Sequence, residues 1–332
     1  MFPYSCMGVL GFPNVRWPSH GLLPPFRSAT SDNRRRPGVG GSARAPGRFD
    51  SSSEENQDPQ VDKKAAEAAA YLQDWHDRHP GATSAMLTSM TDDKGRNTYE
   101  LLAEALLIGS EPVLDLACGD GYLLELLRTD RECLGTDRNI TELTAASHRL
   151  GRRTPLIRAD AASLPVATAS LGAVSCHYAL MLLQPLEVVL AELARVLRPG
   201  GQLACVLPAW PSGGDTGPIS VFRAAWQEVT ETFPVDIPPI QDDRALDPED
   251  LELVLQGAGF SLGSVESISV MKKMTVEETI ALVTLTYLPD LLTPAASAQL
   301  KGRLEIGFAG IADAMGAVTF SESSDLVCAR RS

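Results

Sequence analysis

Three aspartates in this chain share one setting. Asp115, Asp137 and Asp160 each close a short apolar run, containing Val113-Leu114, Cys133-Leu134 and Leu156-Ile157 respectively. A carboxylate in such a place accepts hydrogen bonds from hydroxyls and amines and attracts a cation. The first run leads into Ala117-Cys118-Gly119-Asp120-Gly121, whose small residues let a ligand approach backbone N–H groups. Proton-transfer groups are scarcer, since the chain has only five histidines. His177, in Ser175-Cys176-His177-Tyr178, stands directly after a fourth apolar run. An imidazole there can take a proton from a phenol or hydroxyl near neutral pH, or it can simply shape a pocket wall. His76 and His79 sit beside Trp75 at helical spacing. His76 is the second candidate base, and a buried, satisfied histidine is the alternative there. His148, between Ser147 and Arg149, reads as surface.

Repeated strand and helix signals surround these residues. Pro112–Leu116, Cys133–Thr136, Leu156–Ala159, Ala173–Cys176 and Gln202–Leu207 read as strands. Tyr122–Arg128, Thr141–Leu150 and Leu186–Leu197 read as the helices between them. Such β-α repetition implies a parallel sheet covered by helices on both faces, and the three acids then lie along its carboxyl edge, where ligands of open α/β sheets bind. A dinucleotide fold would place G-x-G-x-x-G at the first turn. Here Gly119 and Gly121 are present, but Leu124 holds the third position. Asp115 would repel a pyrophosphate and attract an ammonium group, so its chemistry points away from a dinucleotide.

The flanks organise as follows. Residues 1–60 are rich in Pro, Gly, Ser and Arg, lack apolar periodicity, and read as a disordered extension. Residues 61–110 read as N-terminal cap helices: one carries Trp75 and stops at Pro80-Gly81, a short one spans Ala82 to Met90, and a third is capped by Asn97 with Glu100 closing a capping box. Residues 111–208 form the core. Residues 209–246 read as a lid with Phe222, Ala225, Trp226, Val229 and Phe233 on one helix face. Residues 247–332 complete the core: a helix from Asp247-Pro248, a strand over Ser261–Val270, a second helical insertion over 275–316 opened by Thr275 and Glu278, and a last strand over Val318–Ala329. Trp210, Phe222, Trp226, Leu285, Tyr287, Leu288 and Leu291 are the candidates for an apolar pocket in the two insertions, with packing of lids onto core as the alternative.

The net charge of the 332 residues is −13, a field that repels phosphate backbones and makes nucleic acid a poor partner. The six cysteines form no C-x-x-C pair, so neither a zinc nor a redox site is expected, and Asp242-Asp243 reads as a solvated loop. Free thiols in apolar runs suit a reducing, cytoplasmic setting. No apolar stretch reaches the roughly 18 residues of a membrane span. Residues 1–50 hold seven arginines and no lysine against Asp32 and Asp50, which leaves organelle targeting as the alternative location.

Taken together, VLDLACGDG, GTD, RADAASLP and LAELARVLRPGGQLACVLP make residues 113–207 resemble class I S-adenosylmethionine-dependent methyltransferases of the menaquinone/ubiquinone-methyltransferase-like type (methyltransferase type 11). The resemblance implies a Rossmann-like seven-stranded, mostly parallel sheet, α/β, whose antiparallel last strand Val318–Ala329 would supply. It also implies that Asp115, Ala117, Cys118, Gly119 and Gly121 hold the methionine part of S-adenosylmethionine. Asp137 would meet the ribose and Asp160 and Ala161 the adenine, with Arg138 and Cys176 further cofactor-binding residues. Two departures stand out: Ala117 replaces a frequent glycine, and Leu171-Gly172 replaces a frequent Phe-Asp before the fourth strand. The expected activity is methyl transfer to an enclosed small molecule, with a hydroxyl favoured as acceptor and a secondary metabolite such as a polyketide or aromatic product expected first. A quinone-type acceptor methylated at carbon comes second. A cyclase or sensor that binds the cofactor without transferring methyl is the rival. No metal is expected.

Overall fold

The computed structural model describes residues 59–107, 109–110, 112–129, 131–209 and 217–332. The expected extension, up to residue 58, and Trp210 lie outside the described residues. Three helices open the chain: α1 (Pro59–Arg78), α2 (Ala82–Thr88) and α3 (Thr98–Ala105). The core follows as β1 (Val113–Leu116), α4 (Tyr122–Leu127), β2 (Cys133–Asp137), α5 (Ile140–Leu150), β3 (Leu156–Arg158), β4 (Leu171–His177), α6 (Leu186–Val196) and β5 (Leu197–Pro208). The chain ends with α7 (Pro218–Thr232), α8 (Pro248–Gly257), β6 (Phe260–Thr275), α9 (Val276–Thr284), α10 (Tyr287–Asp290), α11 (Pro294–Ile311) and β7 (Ala317–Arg331).

The seven strands form one sheet in the order β3-β2-β1-β4-β5-β7-β6. β1 to β5 pair in parallel, and β7 runs antiparallel between β5 and β6. The expected antiparallel last strand is therefore present, and it lies inside the sheet. Strand order reverses between β1 and β4, which opens a crevice at their carboxyl ends. Both central strands are buried along their whole length, as a parallel sheet covered on two sides requires.

Alternation divides their side chains between two cores. Val113 and Ala173 join Trp75, Leu102 and Leu124 on one face. Leu114, Leu116, Val174 and Cys176 join Leu190 and Leu193 of α6 on the other. The register pairs Asp115 with Ser175 and Leu116 with Cys176, so Asp115 belongs to the α1 and α3 side while Cys176 belongs to the α6 side.

Local signals explain the helix starts. Asn97 Oδ1 accepts the amides of Tyr99 and Glu100 at 3.0 Å, and Glu100 accepts the Asn97 amide at 2.8 Å. Such a cap stabilises by about 1 kcal/mol. Asp247 caps α8, and Thr275 with Glu278 closes a second capping box on α9. Strand bounds differ from expectation more than helix bounds do. β4 begins at Leu171 and ends at His177, so His177 is the last residue of the strand and does not follow it. β6 runs to Thr275, five residues beyond its expected end, because it pairs along the whole of β7.

Candidate active site

The carboxyl ends of β1, β2, β3 and β4 open into one cavity of about 540 Å³, a size that suits a cofactor or small ligand. α1 covers it with Ala65, Ala68, Leu72 and His76, Tyr99 enters from α3, and Tyr287 enters from α10. Among the described residues, positive φ in a non-glycine occurs at Ala117, Ala169 and Tyr178, and two of these three line the cavity. Backbone strain of this kind costs about 1–3 kcal/mol and concentrates where a site holds its geometry.

The turn after β1 is built by its neighbours. The Cys118 amide donates to the Thr136 carbonyl at 2.9 Å. The Gly119 amide donates to Asp137 Oδ2 at 3.0 Å, and the Asn139 amide donates to Asp137 Oδ1 at 2.8 Å. Asp120 is buried and accepts from Ser84 Oγ at 2.7 Å and from Arg149 Nη2 at 2.5 Å. Gly121 has φ +78, and a Cβ there would come within 2.9 Å of Leu150 Cδ1. It lets the turn seat against α5.

Asp115 is 2% exposed and accepts from Ser175 Oγ at 3.1 Å. Desolvation pushes its carboxyl up to about 8; the Ser175 hydrogen bond opposes that, and the charges of Asp137 and Asp120 add to it. An incoming cation would relieve this cost, and an incoming anion would raise it. The set of acceptors therefore fits a nucleoside with hydroxyls and an ammonium group to donate, as in S-adenosylmethionine. It does not fit a pyrophosphate, because Asp115, Asp120, Asp137 and Glu142 all line the same wall.

The structure brings together most of the expected residues. Asp115, Ala117, Cys118, Gly119, Asp137, Arg138, Asp160, Ala161, His76 and His177 all line the cavity. Asp160 is exposed and accepts the Ala162 amide at 2.9 Å. Two residues depart from the expectation. Cys176 is fully buried in the α6-side core, because strand alternation turns it away from Asp115. Gly121 shapes the turn without lining the cavity.

His177 is 8% exposed, stacks on Tyr99 with ring centroids 3.5 Å apart, and bonds Thr98 Oγ1 through Nε2 at 2.9 Å. Its Nδ1 is buried without a hydrogen-bond partner among the described residues. Burial alone pulls the imidazole down to about 3, so the ring is neutral. Next to it, the Tyr178 hydroxyl is bonded to Glu322 Oε1 at 3.2 Å and to Ser324.

Of the expected pocket aromatics and leucines, only Tyr287 among the described ones lines the cavity. Phe222 and Trp226 stack on each other in the core, Leu288 is buried and Leu291 packs there too, and Leu285 is 43% exposed. Asp242 is not a solvated loop residue. It lines the cavity beside Arg244, which it accepts at 2.6 Å and which also pairs with Glu187. His148 is exposed, in keeping with its polar neighbours. Glu142 is a cavity residue that the sequence pattern does not single out. It is 3% exposed, accepts the Gly81 amide at 3.0 Å, and contacts His76 Nδ1 at 2.8 Å. Among the described residues no cluster of three His, Cys, Asp or Glu is placed to hold a metal ion.

Residues 114–205 match the family described as "Methyltransferase domain". The demethylmenaquinone methyltransferase of Corynebacterium urealyticum is 39% identical over 99 residues, 30% of this chain and 42% of that protein. That of Corynebacterium efficiens is 31% identical over 144 residues, 43% of this chain and 60% of that protein. The malonyl-[acyl-carrier protein] O-methyltransferase of Alcanivorax borkumensis is 31% identical over 157 residues, 46% of this chain and 51% of that protein. The chain thus spans between 42% and 60% of the length of these curated relatives.

Proposed function

We propose that the protein transfers a methyl group from S-adenosylmethionine to an enclosed small molecule, a reading supported by the match of residues 114–205 to the methyltransferase domain family. One observation carries the reading: Asp115, Asp137, Asp160 and the Ala117–Gly119 turn line a single covered cavity whose buried acid favours a cationic ligand. The Ala117–Gly119 turn and Asp115 would take the methionine part, Asp137 and Arg138 the ribose, and Asp160 with Ala161 the adenine. When bound, the cofactor supplies an already activated methyl group. The protein's own task is to align the acceptor and exclude water. α1 and Tyr287 serve that task by covering the cavity.

A hydroxyl acceptor on an apolar or aromatic metabolite is the first reading. The alanines and Leu72 of α1 and the rings of Tyr99, Tyr178 and Tyr287 support an apolar acceptor. A quinone-type ring carbon is the second reading, supported by the demethylmenaquinone methyltransferases among the relatives. Five described free cysteines support a reducing, cytoplasmic location, and no helix among the described residues is long and apolar enough to cross a membrane. The net charge of −13 speaks against nucleic acid as the acceptor.

The test is incubation with methyl-labelled S-adenosylmethionine and 1,4-naphthohydroquinone, which offers hydroxyl and ring-carbon acceptors in one molecule. Label recovered in an ether or in a C-methylated ring supports the first or second reading. Calorimetry showing no binding of S-adenosylmethionine or its demethylated product overturns both. Cofactor binding without transfer to any acceptor would point to the cyclase or sensor alternative.

A further inference from the structure

His177 and His76 both line the cavity, but their surroundings differ. His177 faces a hydroxyl and a phenol ring, and among the described residues no carboxylate bonds it. His76 sits in a line of three groups contributed by three separate helices. Glu142 Oε1 of α5 lies 2.8 Å from His76 Nδ1, and the Tyr287 hydroxyl of α10 lies 2.9 Å from His76 Nε2. Glu142, His76 and Tyr287 all line the cavity.

The line is held stiffly. Glu142 is 3% exposed, and its second oxygen is fixed by the Gly81 amide. Trp75, 2% exposed, packs edge-on against both rings, with centroids 5.0 Å from His76 and 4.6 Å from Tyr287. The carboxyl end of α1 is tied to α10 by the bidentate pair of Arg78 with Asp290, both bonds 2.7 Å.

Building on the methyl-transfer reading, we propose that Glu142, His76 and Tyr287 form the proton relay that receives the acceptor's hydroxyl proton. The acceptor oxygen bonds the methyl carbon as the carbon–sulfur bond breaks, the electron pair staying on sulfur. The oxygen's proton passes to Tyr287 Oη, and the Tyr287 proton passes to His76 Nε2. The positive charge that leaves sulfur ends on the imidazole, where Glu142 compensates it across the Nδ1–H. Removing the same hydroxyl proton from a hydroquinone makes its ring carbon nucleophilic; the ketone formed when that carbon takes the methyl then loses its ring proton to solvent as its oxygen regains a proton, so the relay serves either acceptor. Tyr287 is the group that meets the acceptor, and Glu142 is a positioning residue. Burial, with the charges of Glu142 and Asp137 adding, raises the Tyr287 phenol above its ordinary range. The phenol therefore keeps a proton at rest and acts by handing one on as another arrives.

Two measurements decide the proposal. Nitrogen-15 spectra of the ligand-free, histidine-labelled protein should show His76 protonated at Nδ1 and bare at Nε2. The signal assigned by its loss in His76→Gln should change in Glu142→Gln. With 1,4-naphthohydroquinone, Tyr287→Phe and His76→Gln should each lower kcat roughly 10²–10⁴-fold, the usual scale of general-base catalysis, with cofactor-product affinity by calorimetry within about threefold of wild type. Tyr287→Phe keeps its packing on Trp75, so it separates the hydroxyl from the fold. A proton on Nε2, or full turnover in Tyr287→Phe, overturns the relay while leaving cofactor binding intact. Absence of cofactor binding in the wild type would instead overturn the underlying methyl-transfer reading.

Discussion

Asp137 accepts the amide of Gly119 at 3.0 Å, so the acid that ends β2 also holds the turn that follows β1. Its other oxygen takes the Asn139 amide, which places the start of α5 on the same carboxylate. One side chain thus joins three parts of the candidate cofactor wall. Asp137→Ala should weaken binding of the demethylated cofactor by about 1.5–3 kcal/mol, the range for hydrogen bonds to a charged group, or roughly 10- to 150-fold. Calorimetry gives the dissociation constant directly, and an unchanged value would remove Asp137 from the site.

Stability should depend on pH through two buried acids. Desolvation pushes Asp115 and Glu322 up to about 8, against the Ser175 and Tyr178 hydrogen bonds that oppose it. Unfolded carboxyls titrate near pH 4. Both groups hold protons more tightly when folded, so their contribution is whole below that range and is lost as pH rises through 8. The thermal midpoint of the ligand-free protein should fall between pH 5 and pH 8.5. Asp115→Asn and Glu322→Gln should each make that decline shallower. A decline equally steep in both variants would assign it to other groups.

Cofactor binding should couple to the same proton on Asp115. An ammonium group docked on this carboxyl favours its charged form, so binding should release a proton near pH 7. Calorimetry in phosphate and in Tris should then give enthalpies that differ with the buffers' ionisation heats, in the direction of proton release. Asp115→Asn should remove most of the difference. Proton uptake on binding would put the ammonium elsewhere.

Much of this arrangement is legible in the sequence because strand ends are local. Asp115, Asp137 and Asp160 each follow an apolar run, and a parallel sheet puts such ends on one edge. Cys176 escapes a local reading because its face depends on alternation within β4, and a one-residue step separates the cavity wall from the α6-side core. Glu142 is hidden by a pattern with another meaning. Asn139 to Glu142 has the spacing of a capping box, like Asn97 to Glu100 and Thr275 to Glu278. In the latter two the glutamate returns to its own cap. Glu142 turns instead to His76 and Gly81, which α1 brings within reach only once the chain is folded. Asp242 likewise meets the cavity through long-range packing that no local spacing records, whereas Tyr287 is the expected pocket residue that does reach it.

His177 provides the sharpest separation between two kinds of role. Its ring is stacked on Tyr99, its Nε2 is engaged with Thr98, and burial pulls it down to about 3. A base that weak gains little by accepting a proton from a hydroxyl, whereas a neutral ring still shapes the wall and stiffens Tyr99. His177→Ala should therefore change KM for 1,4-naphthohydroquinone more than turnover, which should stay within about threefold of wild type. It should also lower stability by about 1–3 kcal/mol, from the lost stacking and the stranded Thr98 hydroxyl. The wild-type rate should show no inflection assignable to His177 between pH 5 and pH 9, because a ring pulled down to about 3 stays neutral throughout that window. A turnover lowered by roughly 10²-fold or more at unchanged KM would show that His177 takes the proton itself, and the relay through Tyr287 would then be unnecessary.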